Sequence, residues 1–146
     1  MQSSDITYKA AEEKDGALVF DQAKQLIDKY ENLEEIDYDK VLAWYRRKIQ
    51  QHIQEYTRIT VDGLLTGFYR FSSAGEKMEI DDLYILPAFQ NRGIGTAVIE
   101  KCLAQTELPV FLYVFQKNTG ALRLYQRMGF VITKTIGTSR YVMEHE

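Results

Sequence analysis

The stretch Leu83-Tyr84-Ile85-Leu86-Pro87-Ala88-Phe89-Gln90-Asn91-Arg92-Gly93-Ile94-Gly95-Thr96-Ala97 decides the fold of this chain, because it sets an apolar strand, a proline stop and a glycine turn directly before a helix. Glycines at 93 and 95 let the backbone come close to a ligand. The start of a helix offers unpaired N–H groups and the positive end of its dipole to an anion. Arg92 adds a cation to those donors. The arrangement suits a pyrophosphate. A dinucleotide fingerprint would need a third glycine at position 98, where Val98 stands, and a P-loop would need Gly-Lys-Ser/Thr after four intervening residues, which the chain lacks.

Working outward from this run, Met78 to Leu86 reads as a strand and Arg92 to Gln105 as a helix. Pro109 to Phe115 follows as a buried strand, and Asn118 caps a helix over Thr119 to Met128 that Gly129 closes. Phe130 to Ile136, a turn at Gly137, and Arg140 to Glu144 end the chain as an antiparallel pair. Upstream, Asp5 to Ala10 is a short strand. Asp15 caps a helix whose Leu18, Val19, Gln22, Leu26 and Ile27 fall on one stripe. Asp37 or Asp39 opens a second helix through Val41, Leu42, Trp44, Tyr45, Ile49 and Ile53, with Arg46, Arg47, Lys48, Gln50 and Gln51 on its outer face. Tyr56 to Val61, the turn signal Asp62-Gly63 and Leu64 to Phe71 form a hairpin, and Ser72 to Lys77 is a loop. The order β-α-α-β-β-β-α-β-α-β-β predicts an α/β fold, a mixed sheet flanked by helices, without an internal repeat.

With 146 residues and 45% hydrophobic content the chain reads as a single domain, 1–146, with a genuine core. A net charge of −3 and a pI near 5.5 argue against nucleic acid as a partner. Met1-Gln2-Ser3-Ser4-Asp5 has neither the basic nor the apolar region of a signal peptide, and the run Val110 to Phe115 is too short to span a bilayer, so a soluble cytoplasmic protein without membrane partners is expected. The single cysteine, Cys102, shares a helical stripe with Ile94 and Val98 and reads as a small core residue. His52 and His145 have no partners at metal-ligand or triad spacing, so no metal is expected.

Leu83, Ile85, Pro87, Gln90, Gly93 and Gly95 fill the pattern Leu-x-Val/Ile-x-Pro followed by Gln/Arg-x-x-Gly-x-Gly/Ala. Asn118, Ala121, Tyr125, Gly129 and Phe130 fill a second, Asn-x-x-Ala-x-x-x-Tyr-x-x-x-Gly-Phe. In both runs the chain resembles the GNAT superfamily of acyl-CoA N-acetyltransferases. The resemblance is specific from about Glu79 to Phe130; the N-terminal third matches only in element order. It implies a GNAT-like acyl-CoA N-acyltransferase fold and direct transfer of an acetyl group from acetyl-CoA to a primary amine in a ternary complex. The acceptor is expected to be a small cationic amine, and a homodimer is possible for such a protein. The alternatives are a protein or peptide N-acetyltransferase, or a non-catalytic module that senses acyl-CoA.

Four needs of that reaction have candidates: a held donor, a polarised carbonyl, a deprotonated amine and a proton for the leaving thiolate. Backbone N–H groups of Gln90, Asn91, Arg92, Gly93, Ile94, Gly95 and Thr96 would take the pyrophosphate, and the backbone of Leu83, Tyr84 and Ile85 would pair with the pantetheine arm like an added strand. The N–H of Tyr84 or Ile85 would face the thioester oxygen. Between 78 and 86 the apolar positions switch from even, Met78 and Ile80, to odd, Leu83 and Ile85. The switch fits either a bulge near Asp81 and Asp82 or a strand buried on both faces; the resemblance implies a bulge that splays two strands apart. Asn118 caps its helix and would offer its amide to pantetheine. Tyr125, one turn beyond Ala121, would give a proton to the leaving sulfur. Glu79 is the candidate base, with Asp81, Asp82 or a water relay in its place as alternatives. The acidic run Glu31, Glu34, Glu35, Asp37 and Asp39 either attracts a cationic acceptor or solvates a loop and favours the next helix.

Overall fold

The computed structural model describes residues 5–146, so Met1–Ser4, where a signal peptide would begin, lie outside the described residues. The elements are β1 (Ile6–Ala10), α1 (Gly16–Tyr30), α2 (Tyr38–His52), β2 (Tyr56–Val61), β3 (Leu64–Ala74), β4 (Lys77–Ile85), α3 (Ile94–Ala104), β5 (Val110–Phe115), α4 (Thr119–Arg127), β6 (Val131–Ile136) and β7 (Arg140–His145). They follow the predicted order. The strands form a seven-stranded sheet, β1-β2-β3-β4-β5-β7-β6. Its one parallel pair is β4 with β5, which α3 joins as a crossover.

Two apolar layers hold the helices to the sheet. Ile94, Val98, Ile99 and Cys102 of α3 and Tyr125 of α4 pack with Ile80, Leu112, Val114 and Met143. Val19 and Ala23 of α1 and Ile49 of α2 pack with Tyr56, Phe68 and Tyr84. Side chains alternate between faces along a strand, so an extra residue in β4 must exchange its faces. It does: Phe68 pairs with Tyr84 while Arg70 pairs with Asp81, so that two residues of β4, Asp82 and Leu83, stand against one of β3, Tyr69. Asp82 takes up the excess in the left-handed region, at φ 53°. Below it Ile80 faces the α3 layer; above it Leu83 and Ile85 do, and Tyr84 turns to the α1–α2 layer. The parity switch in the sequence was a bulge. At its crest β3 comes so close that a Cβ on Gly67 would lie 2.1 Å from the Tyr84 carbonyl oxygen.

Several local expectations change. Ser72 to Lys77 is mostly strand, because β3 and β4 continue their ladder to Ala74 and Lys77 before turning. Asp15 stands at the start of α1, but its carboxylate accepts the Glu12 N–H at 2.8 Å and pairs with Arg58 instead of capping α1. Only alternate residues of β5 are buried, and Tyr113 is 51% exposed. Lys48 does not belong to the outer face of α2. It lies one turn beyond Trp44 and Tyr45 and beside buried Ile49, on the flank of the inward stripe, and its side chain is 13% exposed. Trp44, read as inward, is half exposed.

Candidate active site

The parallel ladder of β4 and β5 has two pairs, Met78 with Val110 and Glu79 with Phe111, and stops there. Beyond Glu79 the bulge swings β4 away, and a cavity of about 1030 Å³ runs through the gap. Its walls come from two opposite layers. On one side are the turn before α3 and the first two turns of α4; on the other are α1, α2 and the ends of β3 and β4.

The first wall is built mainly of backbone. Pro87–Phe89 forms a single 3-10 turn, Asn91 and Gly93 adopt left-handed conformations at φ 62° and 82°, and α3 begins at Ile94. The N–H groups at the first turn of a helix have no helical acceptor, and the first intrahelical bond here is from Ala97 to the Gly93 carbonyl. Donors from Gly93 to Thr96 are therefore left for an anion. A Cβ at Gly93 would meet nothing within 4 Å, so the glycine is demanded by its φ, and the space before the turn is open. At Gly95 a Cβ would press on Leu124 at 3.3 Å, so this glycine lets α3 sit close to α4. These features fit a pyrophosphate.

Individual candidates divide. Gln90 gives its backbone N–H to Pro87 and its side-chain amide to the Ile85 carbonyl at 3.0 Å, so it braces the turn against the strand. Asn91, Gly93, Ile94, Gly95 and Thr96 line the cavity, Ile94 with a buried side chain. Arg92 does not line it; its guanidinium lies over the Phe89 ring. Leu83, Tyr84 and Ile85 border the gap along the stretch that β5 leaves unpaired. Asn118 caps α4, its Oδ1 accepting from the Ala121 N–H at 3.3 Å. Tyr125 follows on the same wall, its ring 8% exposed, and burial pushes its hydroxyl up to about 12, so it carries its proton throughout the neutral range.

The second wall is charged. Glu79 sits where the ladder ends; burial, then the nearby Asp81, push its carboxyl up to about 7, so it can both take and release a proton near neutrality. Lys48 reaches down from α2 to Asp81 at 2.8 Å and Asp82 at 2.9 Å. Arg70 joins Asp81 at 3.3 Å to Glu55 at 3.1 Å, and His52 lies against Glu55. Asp82 also accepts from Tyr84 at 2.7 Å and from the Tyr56 hydroxyl. Sequence reasoning missed Lys48, Arg70, Tyr56 and Tyr84 as a group; the adjacent carboxylates Asp81 and Asp82, which a buried strand end tolerates only with cations nearby, were the available signal. The acidic run divides: Glu31 is folded in with its side chain 7% exposed, and Glu34, Glu35, Asp37 and Asp39 are exposed. Asp37 caps α2, Glu31 pairs with Arg140 at 3.5 Å and Glu35 accepts from Thr138, and none of the five acidic residues lines the cavity.

A profile of the Acetyltransferase (GNAT) family matches residues 20–130. This chain belongs to that family. It is 34% identical over 90 residues to an uncharacterized N-acetyltransferase of Mycobacterium bovis, a match covering 58% of this chain and 57% of that protein. The chain spans 26% to 57% of the length of the curated relatives it matches. Among solved structures, the PaiA N-acetyltransferase of Thermoplasma acidophilum in complex with coenzyme A superposes with a TM-score of 0.72 at 20% identity, over 97% of this chain and 98% of that one. A spermidine N-acetyltransferase chimera from Vibrio cholerae superposes with a TM-score of 0.66 at 17% identity, over 97% and 95%. Among the described residues no helix is long and apolar enough to cross a membrane, and no group of His, Cys, Asp and Glu could hold a metal ion.

Proposed function

We propose that this chain is a single-domain transferase that moves an acetyl group from acetyl-CoA to a primary amine in a ternary complex. The observation that carries the proposal is the gap between β4 and β5, with free helix N–H groups at one end and Glu79 and Tyr125 in its walls. When bound, acetyl-CoA supplies an acyl carbon activated as a thioester. The Gly93–Thr96 N–H groups hold its pyrophosphate, and the free edge of Leu83–Ile85 aligns the pantetheine arm. Glu79 takes a proton from the amine as the C–N bond forms. Tyr125 gives its proton to the sulfur as the C–S bond breaks, and is reprotonated from solvent.

The acceptor we propose is a small cationic amine. Its support is the cluster of carboxylates, Glu79, Asp81 and Asp82, that lines the cavity, and the spermidine enzyme among the structural neighbours. The acidic run of the α1–α2 connection is no part of this reading. Free thiol release from acetyl-CoA with a panel of diamines, polyamines, amino acids and peptides tests it. Turnover with small diamines or polyamines is expected; turnover with peptides alone would make it a peptide acetyltransferase, and binding without turnover would leave a sensor. Sedimentation of the same sample measures the homodimer expectation.

A further inference from the structure

The carboxylates of the second wall crowd together. Glu79, Asp81 and Asp82 lie within four residues of one strand, and the side chains of Asp81 and Asp82 are 15% and 7% exposed. Such a cluster does not stay ionised without cations in contact. Two are present. Arg70 on β3 touches Asp81 and is shared with Glu55. Lys48 on α2 touches both Asp81 and Asp82, and among the described residues it is the one ammonium or guanidinium group that does. Lys48 also lies over the rings of Trp44 and Tyr45, 5.5 Å and 5.4 Å from their centroids, which fixes its stem along the cavity wall. Asp82 is itself the left-handed residue of the bulge, and Tyr56 and Tyr84 donate to it from the α1–α2 layer.

We propose that Lys48 is a positioning residue for the acetyl transfer: by bridging Asp81 and Asp82 it pins the β4 bulge to α2 and holds a cation beside the stretch of β4 that carries Glu79. The inference rests on Glu79 acting as the base. Its geometry stands on the two salt bridges, and the electrostatics agree in sign. Burial opposes the charge on Lys48, but Asp82 and Asp81 outweigh it and hold the ammonium above its ordinary range. Burial and then Asp82 raise Asp81, while Lys48 and Arg70 pull it back. For Glu79, burial and Asp81 act upward and Lys48 and Arg70 downward. The other charged groups around this wall have partners of their own. His52 and Glu55 lie against each other beside Arg70, and across β5 the carboxylate of Glu144 is held by Lys77 at 3.0 Å.

The test is a pair of variants with opposite signs. Lys48→Met keeps an apolar stem and removes the charge, so the Glu79 titration, followed by carbon-13 NMR of its carboxyl, moves up by about one pH unit; Asp81→Asn moves it down by a similar amount. Lys48→Arg, which keeps a cation, restores the wild-type value to within a few tenths of a unit. In turnover, the acid limb of kcat/KM follows the NMR value in each variant, with acetyl-CoA affinity unchanged. A Glu79 titration that stays put in folded Lys48→Met overturns the inference. If Lys48→Met does not fold, Asp81→Asn and Lys48→Arg decide in its place: no downward shift in the first, or a large shift in the second, overturns it. NMR needs no turnover, so a shifted carboxyl in a protein without activity would reject the proposed reaction, and with it a role for Lys48 in acetyl transfer, while leaving the coupling of Lys48 to Glu79 in place.

Discussion

The two walls of the cavity solve different problems with different materials. The α3–α4 wall, which in the proposed reaction would hold a donor of constant chemistry, is made of backbone: a left-handed turn, free N–H groups, a capped helix start and two glycines. Its parts come from two contiguous runs of sequence. The α1–α2 wall, which in the proposed reaction would face the acceptor, is made of side chains brought from α2, β2, β3 and β4 into one network of ion pairs and hydrogen bonds. Backbone geometry is set locally and leaves a short motif. A buried charge network is set by packing and leaves scattered residues that look like surface.

Changes that strike one wall and spare the other break the comparison open. The largest effect is expected at Tyr125. Tyr125→Phe keeps the buried ring and removes the proton, so kcat should fall by roughly 10²-fold while acetyl-CoA affinity holds. Wild-type turnover would return Tyr125 to the core, and steady-state kinetics with calorimetry decides. On the facing wall, Glu79→Gln should lower kcat/KM by about the same factor near neutrality. The loss should shrink in alkali, where the free amine supplies itself; a loss constant across pH would hand the role of base to Asp81, Asp82 or water.

Gly67→Ala attacks the bulge that separates the walls. A Cβ 2.1 Å from a backbone oxygen forces β3 and β4 apart, and denaturant unfolding should show a loss of about 2 kcal/mol or more. Gly93→Val is milder. It strains a turn at φ 82° and should weaken acetyl-CoA binding by at least tenfold, about 1.4 kcal/mol, in a protein that still folds. Unchanged affinity would remove the turn from the donor site.

The smallest effect sharpens the electrostatics. Because the folded protein raises Glu79 to about 7, its neutral form is the favoured one; the associated stability is present at acid pH and is lost as pH rises through the value in the folded state. Glu79→Gln should therefore match the wild type near about pH 4 and exceed it by roughly 2–4 °C in Tm near about pH 8. Equal melting at both values would mean that Glu79 is not held uncharged by its surroundings.

The order of elements, the parity switch at Asp81–Asp82, the glycine turn and the Asn118 cap were all legible in the sequence, since each depends on residues within a few positions of one another. Element ends were less so: the hairpin from Leu64 to Ile85 runs further than its turn residues suggest because cross-strand pairing, not propensity, sets where a strand stops. Lys48 shows the limit best. By chemistry alone a lysine on an amphipathic helix belongs outside, and only the approach of α2 to the β4 bulge supplies the two carboxylates that make burial favourable. The chain determined by itself the glycine turn before α3 and the switch of apolar parity along β4, because those are local consequences of glycine, proline and alternation; that the switch is a bulge and opens the strand pair was decided by the sheet. Which charges meet on the α1–α2 wall, and so how Glu79 holds its proton, was decided only by the tertiary structure, because Coulomb energy depends on distances between residues such as 48, 70 and 79 that the order of the chain does not fix.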